Sequence, residues 1–256
     1  MMPPKTPVAL TIAGSDSGGE AGIQADLKTF AHLQVHGVTA ITCLTAQNPR
    51  KISRVQPCPP QMLRAQLQAI VAQFSPGAAK TGMLYSADHV VETVRFFKKN
   101  PSIPLVVDPV MISTSGRRLL QIEGVRILKD RLLPLATIVT PNLAEAETLL
   151  GTKIRTLEEL RQAAKAIFEK FGCAALVKGG HLAEAAEAVD FFHSPDGEWM
   201  LSSPRLRRVA LHGTGCTYSA AIAAGLARGM SNVGAIQLAK NYITQRIHGT
   251  RHAGST

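Results

Sequence analysis

Short apolar runs that stop on a polar residue, a glycine or a proline alternate with helix-spaced stretches along most of this chain. The clearest is Leu105-Val106-Val107-Asp108, closed by Pro109. So uniformly apolar a run suits a strand covered on both faces. Ile138-Val139-Thr140 stops on Pro141 in the same manner, and Ala174 to Lys178 stops on Gly179-Gly180. Val8 to Ala13, Val38 to Ala46 and Ala78 to Met83 read as further strands. Between them, Ile23, Leu27, Phe30 and Ala31 recur at helical spacing. So do Met62, Leu63, Leu67, Ile70, Val71 and Phe74 behind Pro59-Pro60, and then Val90, Val91, Val94 and Phe97. Thr156 and Glu159 have capping-box spacing for a helix through Phe171.

Strands alternating with helices predict an α/β fold with a mostly parallel sheet covered on both faces. Ala188–Phe192 and Trp199–Leu201, around the turn Pro195-Asp196-Gly197, read as a hairpin supplying edge strands. Neither a linker nor an internal repeat interrupts the pattern. The expectation is one domain over residues 1–256, with a short N-terminal extension and a loose tail from Gly249. In a parallel sheet, Gly14, Gln47, Met83, Asp108, Thr140 and Lys178 gather outside the carboxyl ends of the strands, where open α/β sheets hold their ligands.

Composition excludes several classes of function. With 45% apolar and 18% charged residues the chain is neither disordered nor fibrous. No apolar run reaches the length of a membrane span, and the N-terminus lacks a signal peptide, so a cytoplasmic protein is expected. The net charge of +10 is scattered, with no basic stripe interleaved with aromatics, so nucleic acid is not the expected ligand. Cys43 and Cys173 lie in apolar runs and read as buried thiols rather than disulfide partners.

The strongest local signal is His212-Gly213-Thr214-Gly215-Cys216, before the small-residue stretch Tyr218 to Gly225. Gly213, Thr214 and Gly215 let backbone N–H groups approach an anion, and a helix starting there adds unsatisfied donors and its positive dipole end. Such a turn suits a transferring phosphoryl group or a developing oxyanion. The plainer reading is a tight loop with a small buried thiol. Cys216 would sit in the first helical turn, where a thiolate is stabilised. As a nucleophile it needs a base, which His212 could supply, but nothing local supplies an orienting acid.

Gly14 to Gly22 is also glycine-rich, yet it is neither a Rossmann nor a Walker A sequence. Asp26, one turn beyond Gly22, either points back to the cleft or is a solvated helix residue. Asp108, Asn142 and Glu145 are candidates for orienting Mg²⁺, which needs few protein carboxylates. Lys178 could neutralise phosphate charge, or simply emerge from the sheet edge. His181 and His212 lack metal-ligand spacing, so neither is assigned to zinc.

The order and spacing of further motifs carry a family resemblance. They are Leu10-Thr11-Ile12-Ala13-Gly14-Ser15-Asp16-Ser17, Ala21-Gly22-Ile23-Gln24-Ala25-Asp26, Thr45-Ala46-Gln47-Asn48, Lys80-Thr81-Gly82-Met83-Leu84, Asp108-Pro109-Val110-Met111, Thr140-Pro141-Asn142-Leu143-Ala144-Glu145 and Val177-Lys178-Gly179-Gly180-His181. With the glycine–cysteine turn, they make residues 8–247 resemble the hydroxymethylpyrimidine kinase/phosphomethylpyrimidine kinase family of thiamine biosynthesis.

That resemblance implies a ribokinase-like three-layer α/β/α sandwich, ATP as phosphoryl donor, Mg²⁺, and a homodimer. It implies phosphorylation of 4-amino-5-hydroxymethyl-2-methylpyrimidine and then of its monophosphate. Gly14, Asp26, Gln47, Met83 and Val110 would form the pyrimidine pocket. The Gly213–Cys216 amides and Lys178 would hold the γ-phosphate, while Asn142 and Glu145, with Asp108, would organise Mg²⁺. Cys216 stands where related sugar kinases carry an aspartate base. Glu20, Lys51, Arg117 and Leu211 depart from the usual family residues. A pyridoxine or pyridoxal kinase is the nearest alternative, and a non-catalytic pyrimidine-binding protein a more distant one.

Overall fold

In the computed structural model, Leu105, Val106 and Val107 form a strand with no solvent exposure at all, and the remaining architecture is arranged around it. Structure is described for residues 6–48, 51–112, 116, 118–180, 182, 187–205 and 213–249. His181, Arg117, Leu211, His212 and the tail beyond Gly249 lie outside the described residues.

The strands are β1 (Val8–Asp16), β2 (His36–Asn48), β3 (Lys51–Pro57), β4 (Ala78–Thr81), β5 (Leu105–Val107), β6 (Ile138–Val139), β7 (Ala174–Lys178), β8 (Glu187–Ser194) and β9 (Gly197–Pro204). They make one sheet in the order β3-β2-β1-β4-β5-β6-β7-β8-β9. The six strands from β2 to β7 run parallel, with antiparallel β3 at one edge and the β8–β9 hairpin at the other.

Alternation along each strand sends side chains into two separate cores. Leu10, Leu105, Val107, Val139 and Val177 pack beneath α2 (Pro60–Gln73), α3 (Ala87–Lys99), α4 (Ile122–Ile127), α5 (Leu143–Leu150) and α6 (Leu157–Phe171). Ala9, Val106, Ile138, Ala174 and Leu176 face α1 (Gly22–His32), α7 (Thr214–Ala227) and α8 (Asn232–Gly249). The three-layer α/β/α arrangement expected from the resemblance is therefore present. The capping box at Thr156 and Glu159 forms as expected, and a second joins Asn142 to Glu145 at the start of α5.

Several boundaries differ from the sequence reading, and one strand is additional. β1 continues past Ala13 to Asp16, with a register shift that sets Gly14 opposite two residues of β2, Thr42 and Cys43. β4 ends at Thr81, so Gly82 and Met83 lie beyond it. β3 was not anticipated, because Lys51-Ile52-Ser53-Arg54-Val55-Gln56-Pro57 contains no apolar run. An antiparallel edge strand can form without one, since its outer face is not buried.

Candidate active site

The parallel strands deliver Asp108, Thr140 and Lys178 to one edge of the sheet, and α7 begins beside them. Gly213 precedes α7 with φ +76°, and a Cβ there would overlap the carbonyl oxygen of Glu20. Only glycine fits both constraints. Among the described residues no side chain caps α7, so the N–H groups of Thr214, Gly215 and Cys216 have no partner within the helix. Ala220 to Ala224 have no solvent exposure, which lets α7 lie directly on the sheet.

Lys178 faces this turn. A Cβ at position 215 would lie 3.4 Å from its Nζ and 4.0 Å from Asp108 Oδ2. Lys178 Nζ donates to Asp108 Oδ1 at 3.1 Å, and the hydroxyls of Thr140 and Ser219 donate to Oδ1 and Oδ2 at 3.4 and 3.2 Å. Burial alone would lower the Lys178 pKa, but Asp108 and Glu145 overcome it and hold the ammonium above its ordinary value. Glu145 accepts from the backbone of Asn142 at 2.9 Å and from that of Met111. Burial, only partly opposed by Lys178, raises its carboxyl to about 7.

The other side of the cleft is built on β1 and β4. Gly14 is buried at its register shift, where a Cβ would meet Cys43 Sγ at 2.9 Å and Met83 Sδ at 3.7 Å. Met83, Val110 and Gln47 are each half-buried. The Gln47 backbone is joined to the Ser17 hydroxyl in both directions, at 2.9 Å.

Of the two readings of Asp26, the solvated helix residue is corrected. Asp26 is fully buried, accepting from Thr11 Oγ1 at 2.6 Å and from Lys80 Nζ at 2.9 Å on both oxygens. Burial alone would lower the Lys80 pKa, but Asp26, Cys216 and Asp108 reverse that and keep it above its ordinary value.

The expected stabilised thiolate is also corrected. Burial pushes the Cys216 thiol up, and Asp108 and Asp26 add to it, outweighing the help of Lys80 and the Gly22 N–H. Cys43 and Cys173 are buried free thiols as expected, pushed by burial to about 11 and about 12.

Sequence reasoning gave no role to Lys80 or Asp16. Lys80 carried a signal, since a lysine within the otherwise apolar-and-threonine strand Ala78–Thr81 must find a buried counter-ion. Asp16 orders the first glycine-rich loop: Oδ1 accepts from Gly18 N–H at 2.8 Å, and Oδ2 from Glu20 and Ala21 at 3.1 and 2.9 Å. That loop spends its donors on its own carboxylate.

Comparison with known proteins agrees with this geometry. Residues 16–256 match the family model described as phosphomethylpyrimidine kinase. The hydroxymethylpyrimidine/phosphomethylpyrimidine kinase of Synechococcus elongatus is 44% identical over 94% of this chain and 91% of its own length. The crystal structure of phosphomethylpyrimidine kinase from Clostridium difficile superposes with a TM-score of 0.84 at 39% identity, covering 94% of this chain and 99% of that one. An ADP complex of Bacillus subtilis pyridoxal kinase superposes at 0.87 with 38% identity, covering 94% and 91%. The chain belongs to the phosphomethylpyrimidine kinase family.

Proposed function

We propose that this protein transfers the γ-phosphoryl group of ATP to the hydroxymethyl oxygen of 4-amino-5-hydroxymethyl-2-methylpyrimidine, and then phosphorylates the monophosphate to the diphosphate. The observation that carries this reading is the uncapped start of α7 facing Lys178 across a buried carboxylate. In phosphoryl transfer most of the work is positioning and charge stabilisation, and this arrangement offers both.

The amides of Thr214, Gly215 and Cys216 would receive the γ-phosphoryl oxygens, with Lys178 supplying a fixed positive charge beside them. The hydroxymethyl oxygen attacks phosphorus as the bond to the β–γ bridging oxygen breaks, and ADP leaves with that electron pair. Cys216, which burial keeps as a thiol, orients the attacking hydroxyl. The hydroxyl proton passes to an oxygen of the transferred phosphoryl group or to solvent water as the new P–O bond forms, because a loose transition state needs no strong base. Gly14, Asp26, Gln47, Met83 and Val110 would form the ring pocket, with Lys80 holding the Asp26 carboxylate in place.

Glu145 and Asp108 fit a site for Mg²⁺. Glu145 is a buried carboxyl whose pKa burial has raised, a penalty that a cation would relieve. Among the described residues no three acidic, histidine or cysteine side chains converge on one point, which suits an ion that takes most of its ligands from phosphate and water. Both Asp108 oxygens are already engaged, so Glu145 would hold the ion and Asp108 its waters. Held there, Mg²⁺ would supply positive charge beside the phosphate groups.

The superposition with a pyridoxal kinase supports a second reading, phosphorylation of pyridoxal or pyridoxine. Supplying hydroxymethylpyrimidine, its monophosphate, pyridoxine and pyridoxal in parallel with ATP and Mg²⁺ separates the two, with products identified by mass spectrometry. Pyrimidine mono- and diphosphate are expected. Phosphorylated vitamers alone would transfer the assignment to the second reading, and ligand binding without turnover would reduce the protein to a pyrimidine binder. Under the same reading the enzyme is a cytoplasmic homodimer, which sedimentation and cell fractionation would test. Among the described residues no helix is long and apolar enough to cross a membrane.

A further inference from the structure

A second buried charge network lies behind the site, between the sheet edge and the two C-terminal helices. Asp190 on β8 pairs in register with Lys178 on β7 and is 4% exposed. Its Oδ1 accepts from the Gly179 N–H at 3.1 Å. Its Oδ2 accepts from Lys240 Nζ of α8 at 2.8 Å and from the Tyr218 hydroxyl of α7 at 3.2 Å. Lys240 also donates to the Ala188 carbonyl at 3.0 Å. All three side chains are almost fully buried.

We propose that Asp190 is a positioning residue for phosphoryl transfer, fixing Lys178 on β7 relative to the amides at the start of α7. The inference rests on the function proposed above. One carboxylate holds the peptide immediately after Lys178 and also a side chain only two residues beyond Cys216. On the opposite side, Asp108 does the same through Lys178 Nζ and Ser219, the residue next to Tyr218. The junction of β7 with the first turns of α7 is thus cross-braced by two acids.

Asp108 reaches the site itself, whereas Asp190 acts from behind it. Gly179 permits the close approach, because a Cβ there would overlap the Val189 carbonyl and a Leu160 methyl. A buried ion pair is a poor way to gain stability, since well-packed apolar residues usually do as well. It is an effective way to fix one geometry, because every member has its partner. The Tyr218 phenol is held protonated by burial and by Asp190, which preserves it as a donor.

Tyr218→Phe removes one hydroxyl with little change in volume and leaves the Asp190–Lys240 pair intact. Its kcat per folded enzyme should fall about tenfold with KM for the pyrimidine nearly unchanged, since small misplacements of reacting groups cost rate more than binding. Hydrogen exchange should accelerate in the peptides covering 176–180 and 213–220. The charge-neutral double variant Asp190→Asn/Lys240→Met should show both effects more strongly.

Wild-type kcat and wild-type exchange in Tyr218→Phe would overturn the proposal. So would a loss of thermal stability in the double variant with kcat per folded molecule unchanged. If the native enzyme phosphorylates none of the four ring substrates, the functional reading fails, and the exchange measurement alone decides whether the brace exists.

Discussion

The two halves of the cleft are built from the same ingredients, a glycine-rich turn and a lysine–aspartate pair, and they differ in what is left unspent. On the side proposed for the ring, the Ser17–Ala21 turn gives three of its N–H groups to the Asp16 carboxylate, and Lys80 is locked on Asp26 with both side chains wholly excluded from solvent. On the side proposed for phosphate, the first amides of α7 have no partner within the helix, and the Lys178 side chain retains 14% exposure beside Asp108. Glycine content and charge pairing are therefore common to both. Donors with no partner within their helix and a partly exposed cation belong to one, and those are the properties that bind an anion.

The largest expected effect comes from breaking the sealed pair. Lys80→Met leaves Asp26 buried without its counter-ion, which should cost about 3–5 kcal/mol of stability in urea unfolding. Adding Asp26→Leu should restore most of that loss. If the single variant is as stable as the native protein, the sealed half is not held by this pair.

The open pair should respond in the opposite currency. Lys178→Met should reduce kcat by about a hundredfold or more. Its stability should fall less than that of Lys80→Met, because Thr140 and Ser219 continue to donate to Asp108. Equal losses of stability from the two lysine variants would remove the distinction between the halves.

Glu145 sharpens the comparison through pH. Its folded carboxyl is raised to about 7 from 4.5, so the folded state binds the proton more tightly than the unfolded chain. This contribution is complete below the unfolded value and is lost as pH rises through about 7, a total of about 3 kcal/mol. Glu145→Gln should flatten that part of the stability profile, measured by urea unfolding between these two pH values. Parallel profiles for the native protein and the variant would refute the burial argument.

The smallest effect is expected at the spent turn. Asp16→Ala frees the amides of Gly18, Glu20 and Ala21, and loosening a loop of this kind should raise KM for the ring substrate by about tenfold, or about 1.4 kcal/mol. The kcat at saturation should stay near that of the native enzyme. A fall in kcat with KM unchanged would mean that the turn serves the phosphate rather than the ring.

Much of this was legible in the sequence. The apolar strands from Val106 to Leu176 and the capping box at Thr156 follow from periodicity and spacing within a few residues. So does the importance of the Gly213 turn, because glycines ahead of a small-residue stretch let backbone N–H groups approach an anion. β3 was not legible, since its exposed alternation of Ser53, Arg54 and Val55 resembles a loop. Nor was the role of Asp16, because a carboxylate that serves three amides of its own loop looks like any polar turn residue.

The sequence by itself determined the alternation of buried strands and helices and the family, since those depend on neighbours along the chain and on motif order. Only the tertiary structure decided which lysine is sealed, which thiol stays protonated and which glycine turn keeps its donors. Lys80 meets Asp26 across 54 residues, Lys178 meets Asp108 across 70, and Ser219 reaches Asp108 across 111. Desolvation and hydrogen-bond satisfaction are set by those long-range approaches, and the chemistry of a buried group is set by both.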